Sequence, residues 1–423
     1  MMKITVEKLI YGGKGIGKLN NKVCFIPYVL PEEEVEIEII REKKNFYECT
    51  PSKIIKSSPY RKDPVCRYFT YCGGCDYLHI EYKKQVEYKN EIFVETLQRI
   101  GKIDKIPVLE PVPSPENLHY RNRVQFKIKG EKIGFFKKES REIVNIDYCY
   151  LLKEELNNIL NGLREVVPFF TFLPVEAHFY SSSENQTVAK FVFFKNIKKI
   201  PLGLKHMKAF LGDSLEGFGI YTVKDNFPKK INFIGSPFVY ETVGDYRFRV
   251  SADSFFQVNR FQVGNLIKLV EEELKKEKIS VAFDLYSGVG TFSIPMGRYA
   301  EKVFGVEINP YAVQDANHNR KLNKASNVFF QRASASDINR FMVKKNPQLV
   351  LLDPPRTGID EKTLDALLQI KNLRKIIYIS CNPATLARDI SKLVEKGFSV
   401  VSTRFIDMFP HTYHIESLTI LEK

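Results

Sequence analysis

Over residues 2 to 49, apolar and polar positions alternate in short runs, KITVEKLI, KVCFIPYVL, VEIEII and NFYECT, separated by Gly, Pro and Asn. A period of two marks half-buried strands, and strands this short with turn residues between them predict a small OB-like barrel. The segment YGGKGIGKLN carries glycines at 12, 13, 15 and 17 that permit tight turns, with Lys14 and Lys18 projecting from it. It lacks the preceding complete strand and the following helix that a dinucleotide-binding glycine loop requires.

The stretch SSPYRKDPVCRYFTYCGGCDYLH then reads as a compact, turn-rich loop, and EYKKQVEYKNEIFVETLQRI at 81 to 100 has the period of an amphipathic helix. HYRNRVQFKIKG, KIGFFKK and EIVNIDYC follow as strand candidates, whereas residues 150 to 220 mix signals and predict no definite elements. Beyond residue 250 the rhythm changes. FQVGNLIKLVEEELKK reads as a helix, and VAFDLY, KVFGVEI, QLVLLDPP and KIIYIS are strands separated by helical or turn segments. That alternation predicts a parallel α/β domain with binding loops at the carboxyl ends of its strands. The expected organisation is a barrel over 1–58, a mainly β central domain over 59–245 with the helix near 81–100 inserted and packed toward its neighbour, and an α/β domain over 246–423.

Charge narrows the choice of partner. Lys and Arg total 64 against 50 Asp and Glu, a formal net charge of +14 spread along the chain. This favours a polyanion, and nucleic acid leads because no basic amphipathic helix suggests a membrane surface. An ordinary solvated basic surface is the bland alternative. No apolar run approaches the ~20 residues of a membrane helix and the first residues form no secretory segment, so the expected compartment is the cytoplasm.

Four of the seven cysteines stand out by position: five residues separate Cys66 from Cys72, two separate Cys72 from Cys75, and 73 separate Cys75 from Cys149. A two-residue gap relaxed by Gly73 and Gly74 can turn two thiolates toward one centre, and Cys149 could close a four-sulfur shell. Structural zinc, an iron-sulfur cluster and unrelated cysteines all remain open on spacing alone.

Chemistry concentrates at the strand ends of the last domain. VAFDLYSGVGTFSIP delivers Asp284 to a small-residue loop containing Ser287, Gly288, Gly290 and Thr291, which admits a nucleotide-like ligand to close backbone contact. Glu307 ends the next strand, where a carboxylate can accept hydrogen bonds from ribose hydroxyls. The segment resembles the Rossmann-like methyltransferase fold that binds S-adenosylmethionine; a dinucleotide fits less well because position 292 is Phe. In LLDPPRTG, Asp353 leaves an apolar strand with Pro354 and Pro355 fixing the chain direction. In IIYISCNPATLARD, Cys381 leaves another strand, where a thiolate can add to an electron-poor carbon. FPHTYHIES supplies His411, His414 and Glu416; a metal triad and terminal packing are alternatives to Glu416 acting as a proton acceptor.

Taken together, the N-terminal barrel, the four cysteines, SCNP around Cys381 and FPHTYHIE before Ser417 resemble the RNA uracil-5-methyltransferase family over nearly the whole chain. The resemblance implies a class I S-adenosylmethionine-dependent fold, a TRAM domain over 1–58 and a [4Fe-4S] cluster on Cys66, Cys72, Cys75 and Cys149 in the central domain. It implies that Cys381 adds to C6 of uracil, that C5 then takes the methyl group, and that Glu416 removes the C5 proton before Cys381 is eliminated. Asp353 is implied to orient the base or the methyl donor, and Gln257, Tyr286 and Glu307 match cofactor-contacting positions, while Thr291 stands where some relatives carry Asn. The expected substrate is a uridine of large-subunit (23S) ribosomal RNA, with uridine 54 of transfer RNA as the alternative. The glycine-rich barrel loop and residues 120 to 130 are the expected RNA-backbone contacts, and the chain is expected to act as a monomer. A noncatalytic RNA-binding factor and a 5-methylcytosine enzyme are the competing readings.

Overall fold

In the computed structural model, which describes residues 2–423 apart from 104, 105, 196, 198, 226 and 338, three large sheets carry the architecture, with a fourth, two-stranded sheet of Phe238–Val243 and Tyr246–Ser251 beside them. The first has six strands in the order Met2–Thr5, Glu34–Glu42, Phe46–Lys56, Lys22–Pro27, Lys14–Leu19, Lys8–Leu9. Its two outer strands are consecutive in sequence with only Val6 and Glu7 between them, so the sheet must curl until its edges meet, and Glu7 N–H donates to the carbonyl of Ile16 at 2.7 Å. The period-two pattern points Ile4, Cys24, Ile26, Val35 and Ile37 into the curl. Gly17 lies where the edges cross: a Cβ there would stand 2.5 Å from the Thr5 carbonyl oxygen.

The second sheet runs Phe227–Gly235, Leu215–Lys224, Thr187–Phe193, Glu176–Ser181, Arg123–Lys129, Lys132–Phe136, Ile143–Asn145. It differs from the expected mainly β domain in carrying two helices, Glu154–Val166 and Leu202–Leu211, inside the span whose pattern was mixed. Strand Thr187–Phe193 pairs in parallel with Leu215–Lys224, and a parallel pair needs a crossover, here the Leu202–Leu211 helix. Leu160, Leu163, Leu204 and Met207 of the two helices pack on Phe126, Phe179 and Phe191 of the sheet.

The third sheet has the order Val328–Arg332, Ala300–Glu307, Ile279–Leu285, Leu349–Leu352, Lys375–Ser380, Glu416–Glu422, Ser399–Ile406. Successive pairs among the first five strands are parallel, as the pattern predicted. The last two break the expectation of a wholly parallel sheet: Glu416–Glu422 inserts antiparallel between Lys375–Ser380 and Ser399–Ile406. Side-chain alternation reports which face a residue takes and not the direction of the neighbouring strand, so ESLTILE could not reveal its sense. Chain order reverses between Ile279–Leu285 and Leu349–Leu352, and at such a switch point two diverging loops leave a crevice beyond the strand ends.

The predicted helix forms over Tyr82–Gly101 and belongs to the core of this third unit. Ile92, Phe93 and Leu97 share an apolar cluster with Leu386, Leu393 and Phe405, and Leu9 and Leu30 of the curled sheet enter the same cluster. Lys89 of this helix is fully buried and paired with buried Asp407 at 2.7 Å. Among the described residues no helix is long and apolar enough to cross a membrane.

Candidate active site

The crevice at the switch point is built by the loops after Ile279–Leu285 and Ala300–Glu307. Tyr286, Gly288 and Gly290 have φ of 66°, 55° and 88°, which lets the backbone double back between strand and helix; glycine takes this conformation without strain. Glu307 clamps the loop. One carboxylate oxygen accepts from Gly288 N–H at 3.0 Å and the other from Asn309 N–H at 2.7 Å, leaving its remaining lone pairs for a ligand. Beneath the loop, fully buried Asp284 accepts from the Ser293 hydroxyl. Burial, with Asp353 and Glu307 nearby, pushes the Asp284 carboxyl up to about 7. Asp284 Oδ1 and Ser287 Oγ are buried without a hydrogen-bond partner among the described residues. Buried polar atoms are normally paired, so these two fit a crevice completed by a polar ligand. Thr291 is buried in the same loop. Tyr286 is less directly placed: its ring packs on the apolar cluster and its hydroxyl lies beside Thr363 and Asp360.

On the other side of the switch point Asp353 follows Leu352, and its carboxylate accepts from Gln257 Nε2 at 3.4 Å. The next strand ends at Ser380, and Cys381 and Asn382 lead into the Pro383–Val394 helix, which Asn382 caps by accepting from Ala384 N–H at 3.0 Å. That helix start also holds the Asp353 loop: the carbonyl of Arg356 accepts from Asn382 Nδ2 at 3.1 Å and from the Thr385 hydroxyl at 3.2 Å. Glu416 is buried at the start of the neighbouring antiparallel strand.

Cys381, Glu416, Asp353 and Arg356 thus form one electrostatic group. Burial, with Glu416 and Asp353 adding repulsion against Arg356, pushes the Cys381 thiol up to about 12. Burial holds the Asp353 carboxyl near 7, and burial plus the charge of Asp353 drives Glu416 well above the usual carboxylate range. Arg356 and the amino end of the Pro383–Val394 helix are the features beside Cys381 that favour an anion. Arg356 stands outside the residues singled out from sequence, although its place next to the DPP run carried a local signal; Asp284, expected at the loop, lies buried beneath it. His411 and His414 diverge: His411 lies 3.0 Å from Gln85 and 3.2 Å from Asn117, whereas His414 Nε2 lies 3.4 Å from Arg356.

Cys66, Cys72, Cys75 and Cys149 line one cavity of about 500 Å³ in the central unit, together with Arg121, Arg123 and His178. All four thiols are free, and burial raises each of them. Among the described residues no three or more His, Cys, Asp or Glu side chains gather tightly enough to hold one metal ion. The four sulfurs border a shared space.

Residues 81–423 match the family described as tRNA (Uracil-5-)-methyltransferase, and residues 1–48 match the TRAM domain. The chain belongs to the tRNA (uracil-5-)-methyltransferase family. An uncharacterized RNA methyltransferase of Aquifex aeolicus is 37% identical over 100% of this chain and 98% of its own length. One from Halalkalibacterium halodurans is 31% identical over 100% and 97%. Among solved structures, the Pyrococcus abyssi tRNA (uracil-54, C5)-methyltransferase in complex with S-adenosyl-L-homocysteine superposes with a TM-score of 0.77 at 26% identity, covering 99% of this chain and 100% of that one. As a uracil-5-methyltransferase, this chain is an enzyme that uses S-adenosylmethionine to methylate C5 of a uridine in RNA.

Proposed function

We propose that the enzyme methylates a uridine of transfer RNA, with Cys381 as nucleophile, Glu416 as base, and Asp353 and Arg356 tuning both. What carries the assignment of roles is the strand register that brings Cys381 and Glu416 to the same sheet edge as the switch-point crevice. The choice of transfer RNA replaces the ribosomal RNA expected from sequence, and it is supported by the whole-length likeness to an enzyme whose substrate is uridine 54 of transfer RNA.

C5 of uracil is a weak nucleophile until a thiolate adds to C6 and places an electron pair across C5, C4 and O4. Cys381 gives its proton to water, a loss that Arg356 and the helix start favour, and the thiolate forms that bond. S-adenosylmethionine, when bound, supplies an electrophilic methyl group to C5. Gln257, Ser287, Gly288, Gly290, Thr291 and Glu307 would hold it, with Tyr286 shaping the loop. Glu416, as carboxylate, takes the C5 proton; the electron pair of that bond restores the C5–C6 double bond and expels Cys381 as thiolate. A carboxylate whose proton affinity is raised by burial is a stronger base once ionised.

We infer that the four cavity cysteines would be the ligands of a [4Fe-4S] cluster, although in this structure they border one cavity without gathering tightly enough to hold a metal ion. Four thiolates around one cavity need a positively charged group among them, and a cubane needs a space bordered by four sulfurs. Residues 1–58 and 59–245 are then the parts that engage RNA, and 246–423 the catalytic part. Incubating separate transfer and ribosomal RNA pools with labelled S-adenosylmethionine tests the substrate, and label confined to ribosomal RNA would refute it. Iron and sulfide at about four each per chain are expected after anaerobic purification; zinc without sulfide would overturn the cluster.

A further inference from the structure

The curled N-terminal sheet is docked into the catalytic unit at one turn. Ile10 N–H donates to the Lys14 carbonyl at 2.9 Å and Gly13 N–H to the Ile10 carbonyl at 3.2 Å. Gly13 has a φ of 83°, and a Cβ there would come within 3.0 Å of the Asp76 side chain. Asp76 in turn grips the segment leading to Glu416: its N–H donates to the His411 carbonyl at 2.9 Å and its carboxylate accepts from Tyr413 N–H at 3.3 Å. Lys138 fixes the other carboxylate oxygen at 2.6 Å.

Tyr11 projects from this turn. Its ring meets Tyr413 edge-on at 5.6 Å, Tyr413 lies 4.3 Å from His414, and His414 lies 3.4 Å from Arg356. The phenol shares the electrostatic surroundings of Arg356, Cys381 and Glu416. We infer that Tyr11 donates a hydrogen bond to a carbonyl oxygen of the pyrimidine held over Cys381, so that the N-terminal domain supplies a wall of the base pocket as well as affinity for RNA. The inference rests on Cys381 being the nucleophile. Burial raises the phenol to about 12, which keeps it a protonated donor at neutral pH. Thiolate addition shifts electron density onto a ring carbonyl, so a donor there binds the transition state more strongly than the ground state.

The test is Tyr11→Phe, which keeps the ring edge on Tyr413 and removes only the hydroxyl. The expected result is a kcat about tenfold lower, the loss of roughly one neutral hydrogen bond, with KM for RNA and for S-adenosylmethionine within about twofold. The melting temperature should be unchanged. Tyr11→Leu, which also removes the aromatic edge, should lose at least as much. A second readout uses RNA carrying 5-fluorouridine, whose fluorine cannot leave as a proton does, so the adduct at C6 accumulates; Tyr11→Phe should slow its formation to the same degree. Wild-type kcat and adduct rate in Tyr11→Phe, or an effect confined to KM for RNA, would overturn the role of Tyr11 alone. Absence of any adduct in the wild-type enzyme would overturn the assignment of Cys381 and the inference with it.

Discussion

Ser380 and Ser417 face each other as the final pair of an antiparallel ladder, and this pairing places Cys381 one residue past the end of one strand and Glu416 at the first residue of the other. Two groups far apart in sequence are therefore set by backbone hydrogen bonds. A shift of register by one residue would turn Glu416 to the opposite face of the sheet.

Glu416→Gln keeps the size of the side chain and removes the base. The variant should still form the bond between Cys381 and C6 and methylate C5, then stall. Denaturing gel electrophoresis with labelled RNA should show an accumulating protein–RNA adduct and turnover at least ~100-fold down, the range expected for losing a general base. Wild-type turnover without adduct would remove Glu416 from this role.

The raised Cys381 thiol sets the pH dependence. The group is neutral below about 12, so its thiolate fraction, and with it the single-turnover rate of adduct formation, should climb about tenfold per pH unit from roughly pH 7.5 to 9. Arg356 lowers the thiol; Arg356→Met should therefore raise it further and slow adduct formation at every pH in that window. A flat profile would mean that proton loss from Cys381 does not limit addition.

Glu307→Gln replaces one of two acceptor oxygens with an amide NH2, so only one of the bonds from Gly288 N–H and Asn309 N–H, 3.0 and 2.7 Å in the wild type, can be kept. The loop around Gly288 should loosen, and affinity for S-adenosylmethionine measured by calorimetry should fall about tenfold, comparable to losing one charge-assisted hydrogen bond. Unchanged affinity would place the cofactor away from this loop.

The Lys89–Asp407 pair is a stability element beneath the catalytic segment. Both side chains are fully buried, and Lys89 also donates to the Phe409 carbonyl at 3.0 Å. Lys89→Met leaves Asp407 charged and unpaired, a loss of about 3–5 kcal/mol. The unfolding midpoint of the variant should drop accordingly, and adding Asp407→Leu should recover part of it. Equal midpoints for the single and double variants would show that the unpaired charge is not the cause.

What was legible in sequence was local. The period-two runs gave the curled sheet, and the strand-then-glycine pattern at 281 to 290 gave the loop at the switch point because strand and turn are contiguous there. The motif around Cys381 and the FPHTYHIE run were legible as a resemblance. Contacts made across the fold were hidden: Lys89 reads as one more solvated charge on an amphipathic helix, and nothing near Tyr11 announces a partner at Tyr413. The Leu202–Leu211 helix escaped because ten residues give too few turns for a period to emerge from the flanking Pro and Lys. The sense of the Glu416–Glu422 strand escaped because alternation reports the faces of a strand and not the direction of its neighbours.

The most direct test of the account is nucleoside mass analysis and position mapping of transfer RNA after incubation with labelled S-adenosylmethionine and either the wild-type enzyme or Cys381→Ala. The account predicts 5-methyluridine at one position with the wild type and none with Cys381→Ala, while the variant still binds the RNA. Methylation undiminished in Cys381→Ala, or label found only in ribosomal RNA or on cytosine, would contradict it.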